Sequence, residues 1–103
     1  MSIVLLILVM NFSDFSSSLS RTTPPQDLPV HLIALWYDGK GDWQQAHALV
    51  DQLKDQASAL VHAYLHRKEG DTWNADYWYN KAGAIRPNLS LEEEWEQLVL
   101  RFL

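Results

Sequence analysis

The sequence contains no cysteine. That excludes a disulfide framework and any thiolate-ligated zinc centre. It suits a reducing compartment, and the protein is expected to be cytoplasmic. Positive charge is scarce: eight Lys and Arg stand against thirteen Asp and Glu, for a net charge of −5. Nucleic acids and anionic membranes want a basic face, so neither is expected as a partner. No apolar run reaches the roughly 20 residues that a membrane-crossing helix needs. There is no Gly-rich phosphate loop, no nucleophile elbow, no His-Glu-x-x-His and no paired-carboxylate pattern. Binding rather than catalysis is therefore expected, with no cofactor.

What is present is a single domain's worth of chain with many large rings. The 103 residues can bury a modest core. Five Trp and four Tyr help such a core, because each ring buries much area. Residues 1–10, MSIVLLILVM, stand apart as an apolar N-terminal extension. Three readings apply: an over-extended reading frame whose true start is Met10, a weak signal or anchor segment without a preceding Lys or Arg, or a buried strand or helix. Residues 11–103 are expected to form one helical-repeat domain.

The organising feature is one segment read twice. ALWYDGKGDWQQAHALV (34–50) and AYLHRKEGDTWNADYWY (63–79) align with a shift of 29 residues. Ala34 falls on Ala63, Gly41-Asp42 on Gly70-Asp71, Ala46 on Ala75 and Val50 on Tyr79. This is a repeated helix–turn–helix unit. The first pair of helices is expected from Leu28 to Asp38, with Val30, Ile33, Ala34 and Tyr37 as its core face, and then from Asp42, capped with Gln45 as a capping box. In the second helix of that pair Trp43, Ala46, Leu49, Val50 and Leu53 face inward. The second pair is expected at Ala57–Lys68 and Thr72–Ala84, stopped by Gly70 and Pro87 and capped by Asp71. A short helix carrying Phe12, Phe15 and Leu19 precedes them, capped by Asn11 or Ser13. A terminal helix follows a Ser90–Glu93 capping box, with Leu91, Trp95, Leu98 and Phe102 inside and Glu92, Glu93, Glu94 and Glu96 outside. The fold class is all-α: about six helices, arranged as two antiparallel hairpins with an N-terminal helix and a C-terminal capping helix.

This pattern resembles the tetratricopeptide repeat. Repeat two carries it at Ala63, Gly70, Ala75, Tyr79, Ala82 and Pro87. Repeat one carries it at Ala34, Gly41, Ala46 and Val50, then departs: Leu53 stands for the second small residue and no Pro follows. The shift is also shorter than that family's 34 residues. From about Phe12 to Leu103 the chain is similar to a group of small bacterial proteins, through LWYDGKGDW, HAYLHRKEGD, NADYWY and SLEEEWE. That likeness implies a start at Met10 and brings no activity with it.

The repeat resemblance implies a concave groove lined by the first helix of each pair, with a protein or peptide as partner. In repeat two Ala57, Leu60, Tyr64, Arg67 and Lys68 would line it; in repeat one, Leu28, His31, Leu35 and Asp38. Leu60, Tyr64 and His31 with the two cations would hold an acidic or C-terminal segment. Arg67 and Lys68 can equally serve the helix dipole, paired with Glu69 or Asp71. Trp36, Tyr64, Trp73, Tyr77 and Trp78 are candidates for an exposed aromatic patch. Trp73, Tyr77, Trp78 and Tyr79 put rings on more than one face of their helix, so some must reach repeat one, the C-terminal helix or another molecule, a homodimer partner included. The alternative function centres on His62 and His66. One helical turn apart, they can bring two imidazoles to one metal. They replace Ile33 and Tyr37 of repeat one, so they are expected to face Thr72–Ala84. There Asp76, Tyr79 or Asn80 would bond them as ordinary core histidines. No third ligand stands in register.

Overall fold

The computed structural model describes residues 10–103; the apolar extension expected over residues 1–10 lies outside them except for Met10. Among the described residues there are six α-helices, one 3-10 turn and no strand. They are α1 (Phe12–Ser17, continued by a 3-10 turn at Ser18–Ser20), α2 (Val30–Gly39), α3 (Trp43–Val50), α4 (Gln56–Lys68), α5 (Thr72–Lys81) and α6 (Leu91–Phe102). No helix among the described residues is long and apolar enough to cross a membrane.

The repeated Gly-Asp pair explains both hairpins. Gly41 and Gly70 have φ of +86° and +88°. Each donates its N–H to the helix just ended, and so does the Asp that follows: Asp42 to Tyr37 O and Asp71 to His66 O, both at 2.9 Å. The same Asp side chain then accepts from the third residue of the next helix, Gln45 N at 3.1 Å and Asn74 N at 3.2 Å. One dipeptide thus stops one helix and starts its partner. Gln45 does not return the bond, so α3 has half of the expected capping box. Both full boxes, Asn11–Asp14 and Ser90–Glu93, are formed. Asp55 caps α4 through Ser58 N at 3.0 Å.

Three helix ends differ from expectation. α3 closes at Val50, so Leu53 follows the helix instead of lying on its inner face. Pro29 takes an extended backbone, so α2 begins at Val30 rather than Leu28. Gly83, with φ of +72°, ends α5 at Lys81 instead of Ala84. Gly83 N and Ala84 N close that end on Asn80 O and Tyr79 O.

α2 pairs with α3 and α4 with α5, and α3 packs on α4 across the junction. Ala34, Ala46, Ala59, Ala63, Ala75 and Ala82 are all buried, which lets the helix axes approach. α4 is the centre of the molecule: Ser58 through His66 are buried without interruption, because α2, α3, α5 and α6 surround it. α6 lies across α2 and α4, with α1 beside it. This shifts the core of α2. Leu32, Leu35 and Trp36 are buried with Ala34, while the expected Val30, Ile33 and Tyr37 are only half-buried. Trp36 Nε1 reaches the Ser18 hydroxyl at 3.1 Å, and Phe12 and Phe15 pack on Trp95.

Candidate functional sites

Leu60, Tyr64, Arg67, Lys68 and His31 of the expected groove all lie beside α6. Leu60 is buried near Leu98, and His31 stands edge-on to Phe102 with ring centroids 4.5 Å apart. Burial lowers the His31 pKa, against the pull of Asp55. Tyr64 is buried and its hydroxyl donates to Asp38 Oδ2 at 2.8 Å. Lys68 Nζ donates to the other oxygen of the same carboxylate at 2.9 Å. Arg67 donates to Glu94 Oε1 at 2.7 Å and to the Leu89 carbonyl. Burial is the first cause, and the adjoining carboxylates the second, that push both the Tyr64 and Tyr79 phenols up.

Neither cation pairs with Glu69 or Asp71: Lys68 is matched by Asp38 of α2 and Arg67 by Glu94 of α6. Glu94 corrects the sequence reading most sharply. Expected on the charged outer face of α6, it is 4% exposed and also accepts from the Tyr79 hydroxyl at 2.5 Å. Trp95 adds a bond from Nε1 to the Leu35 carbonyl at 2.9 Å. The segment that lies across these residues is the chain's own α6. A cavity of about 290 Å³ remains at one edge, between Lys68, Trp95 and Leu19.

The five rings named as an aromatic patch divide. Trp36 and Tyr64 are buried and Trp78 is half-buried. Trp73 and Tyr77 stay outside, 78% and 45% exposed, and stack on each other with centroids 6.2 Å apart. Ile85, after the end of α5, is 89% exposed. It lines an open cleft of about 470 Å³ together with Asp76 and Arg86, which form a two-point ion pair at 2.9 and 3.2 Å.

The two histidines of α4 are buried, but not against the partners expected. Asp76 is engaged by Arg86 and Tyr79 by Glu94. His62 instead stacks on Trp78, with centroids 4.1 Å apart, and its Nε2 lies 3.1 Å from Nε2 of His47 on α3. His66 Nδ1 lies 2.7 Å from Glu69 Oε2. His47 stacks on Trp43, whose indole N–H donates to the Leu65 carbonyl at 2.8 Å. Burial first, and then the two neighbouring imidazoles, hold His62 down at about 4. Burial and His66 lower His47 as well, against Asp51 and Glu69. His47 was readable in principle: Trp43, His47 and Val50 fall at i, i+4, i+7, one stripe of α3 facing α4. Glu94 was too, since Leu91, Glu94, Trp95 and Leu98 form one stripe of α6.

No family model, no curated protein and no solved structure matches this chain.

Proposed function

We propose that the protein works by binding another protein or a peptide, as a tetratricopeptide-like helical-repeat module of the cytoplasm. The binding surface is the outward face of α5 rather than the concave groove. The observation that carries this reading is the exposure of two stacked rings, Trp73 and Tyr77, on that face. Isolated apolar residues on a surface are ordinary; two large rings stacked on each other in the open are the kind of patch that partners cover. The Asp76–Arg86 pair at the cleft supplies polar groups for the rim. A helical repeat builds surfaces rather than deep polar clefts, which agrees with a binding role.

Trp73→Ala separates this role from a structural one. Its ring is exposed, so the substitution is expected to change unfolding free energy by less than about 0.5 kcal/mol. It is also expected to lose the partner that the wild-type chain retains on purification from its own host. Equal recovery of that partner with both chains contradicts the proposal. Light scattering decides whether the partner is a second copy: a concentration-dependent dimer broken by Trp73→Ala places the homodimer on this face, and a strict monomer removes it.

A further inference from the structure

Three of the chain's four histidines meet at one point. They come from both hairpins: His47 from α3, His62 and His66 from α4. One nitrogen of each lies within 4.8 Å of the other two. Ordinary core histidines are held by hydrogen bonds, and this cluster is short of them. His62 is 3% exposed, and its Nδ1 is buried with no hydrogen-bond partner among the described residues. Its Nε2 faces only the Nε2 of His47, a contact in which one ring must donate and the other accept. Trp43 and Trp78 close two sides with ring faces and offer no acceptor there. As pure packing the arrangement is costly, and repeat one fills the equivalent positions of α2 with Ile33 and Tyr37 at no such cost.

As a ligand set it is coherent. Two imidazole nitrogens bound to one tetrahedral ion at about 2.0–2.1 Å stand about 3.3 Å apart. His47 and His62 already stand at 3.1 Å. The third nitrogen closes by a side-chain rotation of the kind a ligand shell makes on binding. Carboxylates sit behind two of the rings, as metal-binding histidines require. Glu69 accepts from His66 Nδ1 at 2.7 Å, which leaves Nε2 as a lone pair. Asp51 Oδ2 lies 3.9 Å from His47 Nδ1. The side chain of His47 is 24% exposed, so an ion has a way in and a water has room to complete the shell.

We propose that His47, His62 and His66 form a three-imidazole site for a divalent first-row transition ion, with zinc as the ion that the geometry fits most directly. A donor set of neutral nitrogens suits zinc, cobalt, nickel or copper, and does not suit magnesium or calcium, which take oxygen. The ion ties α3 of one hairpin to α4 of the next, so it fastens the junction of the two repeats. This goes beyond the binding role of α5 and does not depend on it.

The test is calorimetric titration of the full chain with zinc chloride at pH 7.5, beside histidine ring NMR shifts and the visible spectrum with cobalt chloride. One equivalent should bind, the ring signals of His47, His62 and His66 should move while His31 stays, and cobalt should show the intense bands of a low-coordinate nitrogen site. His47→Ala is the informative variant, because its ring is the least buried of the three and its loss leaves α4 intact; far-UV dichroism checks that. It should weaken zinc at least 100-fold, and Glu69→Gln about 10-fold, through its hold on His66. His31→Ala should change nothing. Absence of ring shifts up to millimolar zinc overturns the proposal, and so does a folded His47→Ala chain that binds zinc as tightly as the wild type.

Discussion

Glu94→Ala is expected to cost about 3 kcal/mol of unfolding free energy and to lower Tm by more than about 10 °C. The side chain is buried and accepts from Arg67 on α4 and Tyr79 on α5. Removing it leaves a guanidinium and a phenol without their acceptor in a site that water reaches poorly, and the uncompensated charge dominates the loss. Arg67 keeps some exposure, 20% of its side chain, which holds the figure at the lower end of the range for buried pairs. The measurement is the urea midpoint, with the slope unchanged. Because the penalty comes from stranded partners, replacing all three together should recover most of it: Glu94→Leu with Arg67→Met and Tyr79→Phe. A single substitution costing less than about 1 kcal/mol would show that α6 does not sit on the hairpins through this carboxylate.

The second large effect is a loss of stability in mild acid. His62 keeps its neutral form in the folded chain down to about 4, whereas an unfolded histidine takes its proton near 6.5. Between those values the unfolded chain binds more protons than the folded one, so stability rises with pH and falls as pH drops from 6.5 towards 4. Desolvation of the imidazolium is the main cause; His66 on α4 and His47 on α3 add repulsion, and Asp51 opposes it. His47 titrates in the same direction. Unfolding free energy should drop by about 2–3 kcal/mol between pH 7 and pH 4.5. His62→Phe keeps a ring to stack on Trp78 and should flatten most of this slope. A wild-type chain equally stable at both pH values contradicts the burial of the cluster.

Much of the architecture was legible because its signals are local. A Gly-Asp pair that closes one helix and caps the next acts within a few residues, and it recurs in register. The buried alanines mark where helices approach, and the Ser90–Glu93 box marks where α6 begins. What periodicity cannot convey is which helix covers which face. The stripe of Leu91, Trp95 and Leu98 says that α6 has an apolar side; it does not say that α6 lies across α2 and α4. That one placement buries Tyr64 and Leu60, occupies Arg67 and draws Glu94 inward. It turns the face expected to receive a peptide into the seat of the chain's own last helix. His47 was missed for a related reason: the two imidazoles it meets belong to the other repeat, and a spacing rule applied within α4 finds only two of the three.

Native-state hydrogen exchange of α6 tests the central claim most directly, since the role of α5 as the binding face depends on the groove staying closed. Leu98 and Val99 are buried in α6, as Leu65 is in α4. If α6 is an integral part of the core, their amides should exchange only through global unfolding, with the same free energy as the Leu65 amide. Exchange of the α6 amides as a unit, several kcal/mol below the global value, would contradict the account: α6 would then be a lid, and the groove beneath it would again be open to a partner.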